Sequence, residues 1–177
     1  SFPYVMCELE SGRGCPRTIA GGCAFCTERL YGLPRYRSVA GIAEEVAALY
    51  RHGARHFRLG RQPDLLVYGA DGAEFPRPRP EQLSALFSAI RRAAPDLATL
   101  HIDNVNPGTI AHHEEASREA LREIVRGHTP GDVAAFGMET ADPAVIRANN
   151  LKASAEEVLH AIRVVNEEGG ARREGIP

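Results

Sequence analysis

The feature that most limits what this chain can become is the array Cys15, Cys23 and Cys26, spaced Cys-x7-Cys-x2-Cys within the run ELESGRGCPRTIAGGCAFCTE from Glu8 to Glu28. Gly12, Gly14, Gly21 and Gly22 surround it. Thiolates are soft ligands suited to iron–sulfur clusters or zinc, and glycine lets a backbone close tightly round such a centre. Three thiolates from one loop hold three irons of a 4Fe-4S cluster and leave the fourth open for chemistry. A fourth thiolate would close the site for electron transfer or structure.

The rest of the chain has to carry that loop. Its 177 residues are enough for one domain with a real core, and 44% hydrophobic and 25% charged residues are ordinary for a globular protein. A formal net charge of -2 gives no global attraction to nucleic acid, though a local basic patch is compatible with it. No apolar run reaches the length of a membrane span, and the N-terminus lacks a signal-peptide pattern. Four cysteines in a chain of this size and pattern do not make a disulfide scaffold, so a reducing, cytoplasmic compartment is expected. The chain opens without Met and stops at Gly175-Ile176-Pro177, where another strand is expected to begin. It reads as one domain over 1–177, incomplete at its C-terminus.

Strand and helix patterns alternate. Strands are predicted over Tyr4–Glu10, His56–Gly60, Ala98–Asp103 and Asp132–Met138. Ser38 caps a predicted helix with Val39, Ile42, Val46, Leu49 and Tyr50 on its apolar side, and Gly53 ends it. Pro80 opens another, with Leu83, Leu86, Phe87 and Ile90. A third spans Glu114 to Arg126, and Asp142–Asn149 reads as a short helical turn. Ser154-x-x-Glu157 is a capping box before a helix lined by Val158, Ile162 and Val165. The connector from Arg61 to Pro80 is long enough to suggest function. Four strand–helix units with a fifth strand starting imply an α/β fold with a parallel sheet and right-handed crossovers. A partial (βα) barrel and a doubly wound sheet both fit.

Strand parity assigns faces. Phe57 and Leu59 oppose His56, Arg58 and Gly60; Leu100 and Ile102 oppose His101 and Asp103. Cys7 and Leu9 belong on the helix side, Glu8 and Glu10 inward. In the fourth strand Val133, Ala135, Gly137 and Glu139 share a face. An interior lined by ionisable groups is not a plain packed core. Glu8, Arg58, His101, Asp103 and Glu139 are therefore predicted to line one cavity, with Arg58 pairing Glu8. Polar residues at the strand ends, including Arg61, Gln62, Asn104, Asn106 and Thr140, are either site groups or helix caps.

The array resembles the cluster loop of the radical S-adenosylmethionine (SAM) enzymes, whose usual spacing is Cys-x3-Cys-x2-Cys with an aromatic residue before the last cysteine. Phe25 holds that place in Cys23-Ala24-Phe25-Cys26, and the loop follows the first strand. The first spacing is longer than usual. The resemblance implies a partial (βα) barrel of which about four units are present, with Cys15, Cys23 and Cys26 as ligands of a 4Fe-4S cluster. SAM would bind the open iron and be cleaved reductively to a 5'-deoxyadenosyl radical. Phe25 would pack near the adenine. Gly60, in Leu59-Gly60-Arg61-Gln62, would stand where the family's Gly-Gly-Glu motif meets the SAM amino group. Glu139 would meet the ribose, and the run through Asn149-Asn150 resembles the methylthiotransferase-like branch. The implied partners are an external electron donor of flavodoxin or ferredoxin type and an unknown substrate, RNA included, with methylthiolation and methylation among the candidate reactions. A fragment lacking the last strands is expected to self-associate and to bind SAM weakly.

Two other classes fit the cysteines. One is a zinc-stabilised nucleic-acid-binding module, although only one short knuckle is present. The other is an electron-transfer protein with Cys7 as fourth ligand; parity instead makes Cys7 a small buried residue. His52, His128 and His160 read as surface residues, His112-His113 as exposed, and Arg77 and Arg79 as a solvated loop.

Overall fold

The computed structural model describes residues 5–170. Tyr4, the expected start of the first strand, and Gly175-Ile176-Pro177, the expected start of a fifth, lie outside the described residues. Strand β1 is Met6–Glu10, β4 is His56–Gly60 and β5 is Thr99–His101. They form a parallel sheet in the order β1-β4-β5, with Glu8 opposite Arg58 and Arg58 opposite His101. Between β1 and β4 lie two short strands, β2 (Gly12–Arg13) and β3 (Arg35–Tyr36), paired antiparallel. This ribbon closes the neck of the cysteine loop.

The helices are α1 (Val39–Arg51), α2 (Pro80–Ala93), α3 (Pro107–His112), α4 (Glu114–Gly127), α5 (Pro143–Ala148) and α6 (Ala155–Gly170). Their starts follow from local chemistry. Ser38 Oγ accepts from Gly41 N at 3.1 Å, and Pro80 sits in the first turn of α2. The capping box closes in both directions: Ser154 N donates to Glu157 Oε2 at 2.7 Å and Glu157 N to Ser154 Oγ at 3.2 Å. The shell packs in sequence, α1 on α2, α2 on α4 and α4 on α6. The core lies between shell and sheet. Leu9, Phe57, Leu59 and Leu100 point into it and are inaccessible, as parity requires, against Ile42, Val46, Leu83, Leu86 and Ile90. In α6 the buried stripe is Val158, Ala161 and Val164, while Ile162 is exposed. The small Ala161 supplies the close contact that a reading by large side chains misses.

The fourth strand is the main departure. Residues 132–138 run parallel beside β5 but join it by a single bridge, Asn104 to Ala135. The reason is that side chains occupy the ladder positions. Leu100 N donates to Thr129 Oγ1 at 3.0 Å, and Ile102 N donates to Asp132 Oδ2 at 2.9 Å. Backbone bonds flank these positions, Thr129 N to Leu100 O (2.9 Å) on one side and Ala135 N to Asp103 O (3.0 Å) and Val105 N to Ala135 O (3.1 Å) on the other. Pro107 then opens α3, which the periodicity did not suggest.

The 61–80 connector is not a solvated loop. Leu65, Leu66, Val67 and Tyr68 are buried in it. Asp64 anchors it: Oδ1 accepts from Leu66 N at 3.0 Å and Asn106 N at 3.2 Å, and Oδ2 accepts from Thr109 Oγ1 at 2.7 Å. Burial pushes this carboxyl up to about 6, against the lowering effect of those hydrogen bonds.

Candidate metal centre

The cysteine loop leaves the carboxyl end of β1 and returns through β3. Cys15 N donates to Gly32 O at 3.0 Å just above the ribbon. Gly14 is required there, because at φ 89° a Cβ would stand 2.7 Å from the carbonyl oxygens of Gly32 and Leu33. After Cys15, Pro16–Ala20 form a 3-10 turn ended by Gly21 and Gly22, both at positive φ. Cys26 N then donates to Cys23 O at 3.2 Å, so the second and third cysteines share one tight turn.

All four cysteines carry free thiols of intermediate burial. Burial first, and then the negative charge of Cys26 and Cys23, push the Cys15 thiol up to about 11; a hydrogen bond from the Arg17 backbone opposes this. A metal would have to displace that proton. Among the described residues no three His, Cys, Asp or Glu side chains are grouped as ligands of one ion. Cys7 lies on β1, partly buried against the core, on the helix side that parity assigned it.

Phe25 is 60% exposed at the tip of the loop. Gly60 ends β4 with its Cα hydrogen against Glu8, and a Cβ there would overlap the Glu8 carboxylate and Cγ. Glu139 stands 3.9 Å from Lys152 Nζ, beside Gly137.

Three of the five inward groups meet. Arg58 Nη2 lies 3.7 Å from Glu8 Oε1 and 3.1 Å from Asp103 Oδ1, each from a different stretch of the sheet. His101 instead turns to the 130–132 segment, its Nε2 3.3 Å from Pro130 O and its Nδ1 4.0 Å from Asp132. Glu139 pairs with Lys152, so the five do not form one linked set. Some strand-end polar residues have local structural partners: Asn106 caps α3, its Oδ1 accepting from Gly108 N at 2.9 Å, and Thr140 Oγ1 accepts from Asp142 N in a turn at 3.1 Å. Beyond the ends of β1 and β4, however, Ser11 Oγ and Gln62 Oε1 are buried without a hydrogen-bond partner among the described residues, as is Arg58 Nε. Unpaired buried polar atoms are costly, and these stand at the carboxyl edge where a polar ligand would satisfy them.

Several side chains were not singled out by the sequence. Arg17, 4% exposed, donates through Nη1 to Cys23 Sγ at 3.0 Å. His128 is not a surface residue, since its Nδ1 is 2.7 Å from Asp132 Oδ2 in a largely enclosed pair. His112 is exposed but stacked on Phe75, with ring centroids 4.3 Å apart. Arg77 and Arg79 are exposed as expected. An arginine inside a glycine-rich cysteine loop is the one sequence signal that pointed to Arg17.

The class that these elements define is an α/β fold with a parallel sheet and a three-thiol loop at the sheet's carboxyl edge. The family model of the Radical SAM superfamily matches residues 9–173, nearly the whole chain, and the chain belongs to that superfamily. It is also similar to an uncharacterized protein of Methanocaldococcus jannaschii, 46% identical over 182 residues that cover 100% of this chain and 33% of that one. A second uncharacterized protein, of Archaeoglobus fulgidus, is 49% identical over 168 residues, covering 95% of this chain and 31% of its own. A third, of Methanopyrus kandleri, is 33% identical over 157 residues, 88% of this chain and 28% of its own. The chain thus spans about a third of the length of the curated relatives it matches. Among the described residues no helix is long and apolar enough to cross a membrane.

Proposed function

We propose that this chain carries the cofactor site of a radical SAM enzyme, with Cys15, Cys23 and Cys26 holding a 4Fe-4S cluster. The observation that carries the reading is one glycine-bounded loop presenting three free thiols at the carboxyl edge of a parallel sheet, in a chain of that superfamily. The donor set fits. It is all sulfur, it comes from one segment, and a cluster accepts thiolates set wider apart than a single zinc ion does. When bound, the cluster and SAM together supply a one-electron reductive cleavage that starts radical chemistry.

The chain's own residues have separate tasks. The three thiols bind, and the ribbon of β2 and β3 fixes the loop against the sheet. Phe25, exposed beside Cys26, would cover the adenine. Gly60, with the Glu8 carboxylate against its Cα, would meet the SAM amino group through its backbone, and the unpaired Gln62 Oε1 and Ser11 Oγ lie just beyond β4 and β1. Glu139, which packs against Gly137 and pairs with Lys152, is the ribose contact. The Glu8–Arg58–Asp103 pairs keep charged groups oriented inward. The sheet with its bridged 132–138 segment is read as four units of a partial barrel. The electron comes from a flavodoxin- or ferredoxin-type donor in the cytoplasm, and RNA is a candidate substrate for methylthiolation or methylation.

Anaerobic reconstitution with iron and sulfide tests this. The expected result is about four irons per chain, the stoichiometry of the 4Fe-4S cluster itself, and a cluster spectrum that SAM alters. One bound zinc with no response to SAM would sink the reading in favour of a structural zinc module.

A further inference from the structure

The first spacer of the cysteine array is longer than the family's usual one, and the added length houses a buried cation. The 3-10 turn Pro16–Ala20 points Arg17 inward, and Gly21 (φ 86°) and Gly22 (φ 69°) bring the chain back to Cys23. The guanidinium uses every side. Nε donates to Glu74 Oε1 at 3.0 Å, Nη1 to Cys23 Sγ at 3.0 Å and to Asn150 O at 2.7 Å, and Nη2 to Asn150 Oδ1 at 3.1 Å. Its Cζ lies 5.6 Å from the Phe75 ring centroid.

Asn150 in turn is committed to the spacer. It sits at φ 49°, a conformation asparagine tolerates better than most residues. Its Nδ2 donates to Ala20 O at 2.8 Å and to Gly22 O at 2.9 Å, while Ala24 N donates to Asn149 O at 2.9 Å. Both amide hydrogens face carbonyls and Oδ1 faces Arg17, so the amide has one orientation. A buried cation needs compensating charge. Glu74 supplies one negative partner; the other acidic group in contact is the sulfur of Cys23. Hydrogen bonds to an ionised acceptor are about twice as strong as neutral ones, so a metal-bound thiolate is the better partner for Arg17.

We propose that Arg17 is a positioning residue for the cluster. It donates to the ligating sulfur of Cys23 and raises the cluster's reduction potential by its charge, while Asn150 holds it there. This rests on the assignment of the cluster to Cys15, Cys23 and Cys26. One-electron reduction by the external donor adds a negative charge to the cluster. A buried cation and an N–H···S bond stabilise that reduced form more than the oxidised one. The corner at Asn149-Asn150 thereby acts on the cluster's potential from far along the chain.

The test is a redox titration of the anaerobically reconstituted protein, followed by the electron paramagnetic resonance of the reduced cluster, for wild type, Arg17→Lys, Arg17→Met and Asn150→Ala. Iron is measured in each. Arg17→Met should reduce the ratio of reduced to oxidised cluster at the wild-type midpoint about tenfold, which is about 59 mV for a one-electron couple. Arg17→Lys should keep most of the wild-type potential, and Asn150→Ala should fall between. A wild type that takes up no 4Fe-4S iron removes the cluster assignment and this proposal together. A loaded wild type whose Arg17→Met variant has the same potential overturns the role of Arg17 alone. Equal shifts in Arg17→Lys and Arg17→Met would assign the effect to packing and also overturn it. If Arg17→Met binds no iron, Asn150→Ala decides: a lowered potential supports the proposal and an unchanged one ends it.

Discussion

Behind the sheet, Leu9, Phe57, Leu59 and Leu100 are sealed against α1, α2 and α4, whereas the cysteine loop leaves Ile19, Phe25, Leu30, Tyr31 and Leu33 exposed. The first region is held by apolar burial, which is non-directional and shared among many contacts. The second is held by directed hydrogen bonds to distant residues: Cys15 N to Gly32 O, Gly14 N to Glu28 Oε2 at 3.2 Å, and the Arg17–Asn150 pairs. Regions with few buried apolar contacts open locally at low cost. The difference teaches that the cysteine loop and the scaffold are separable, so a change in one should be read out with little effect on the other.

The largest expected effect is all-or-none and confined to the loop. Changing Cys15, Cys23 or Cys26 to Ala should abolish cluster iron after anaerobic reconstitution, yet leave the urea midpoint of the iron-free protein unmoved. Cys7→Ala should retain the cluster; its loss would favour a four-thiolate electron-transfer site. A scaffold change should do the reverse. Leu59→Ala removes a fully buried side chain and is expected to cost about 3–4 kcal/mol in urea unfolding. Variant molecules that remain folded should still load iron, and loss of iron from folded variant would show that the two regions are coupled.

A smaller effect sits at the rim between them. The buried Asp64 carboxyl is raised to about 6, above its unfolded value, so the folded state binds the proton more tightly. Its contribution is full below the unfolded pKa of about 3.9 and is lost as pH rises through about 6, by roughly 2–3 kcal/mol. The stability difference between wild type and Asp64→Asn should therefore fall between pH 4 and pH 7 and stay flat above. A difference that does not change with pH would mean the carboxyl stays ionised in the fold. The smallest effect belongs to Arg122, the exposed member of a network in which Arg118 and Arg122 meet Glu168 and Arg118 also meets Glu114. Arg122→Ala should leave thermal unfolding within error of wild type at low and high salt, since exposed pairs are screened and contribute little. A salt-sensitive loss would show that α4 and α6 depend on charge rather than on Val158, Ala161 and Val164.

Much of the scaffold was legible in the sequence, because periodicity is local. Alternation put Phe57, Leu59 and Leu100 on the buried face, and Ser38, Pro80 and the Ser154–Glu157 box marked helix starts, since each rule involves residues a few positions apart. Membership of the radical SAM superfamily was legible for a similar reason: the Cys15, Cys23 and Cys26 array is a matter of residue type and spacing within one short run. What local pattern could not settle was decided by packing. Residues 132–138 have strand character, but Thr129 and Asp132 side chains take the amides of Leu100 and Ile102 and leave a single bridge. The 61–80 connector reads as a loop, yet Asp64 finds Asn106 and Thr109 and its Leu65–Tyr68 part is buried. Arg17 meets Cys23 and Asn150 although 133 positions separate it from the latter. Such contacts exist only once the elements are assembled, because hydrogen bonds and buried charges select partners by distance in space, which chain order does not record.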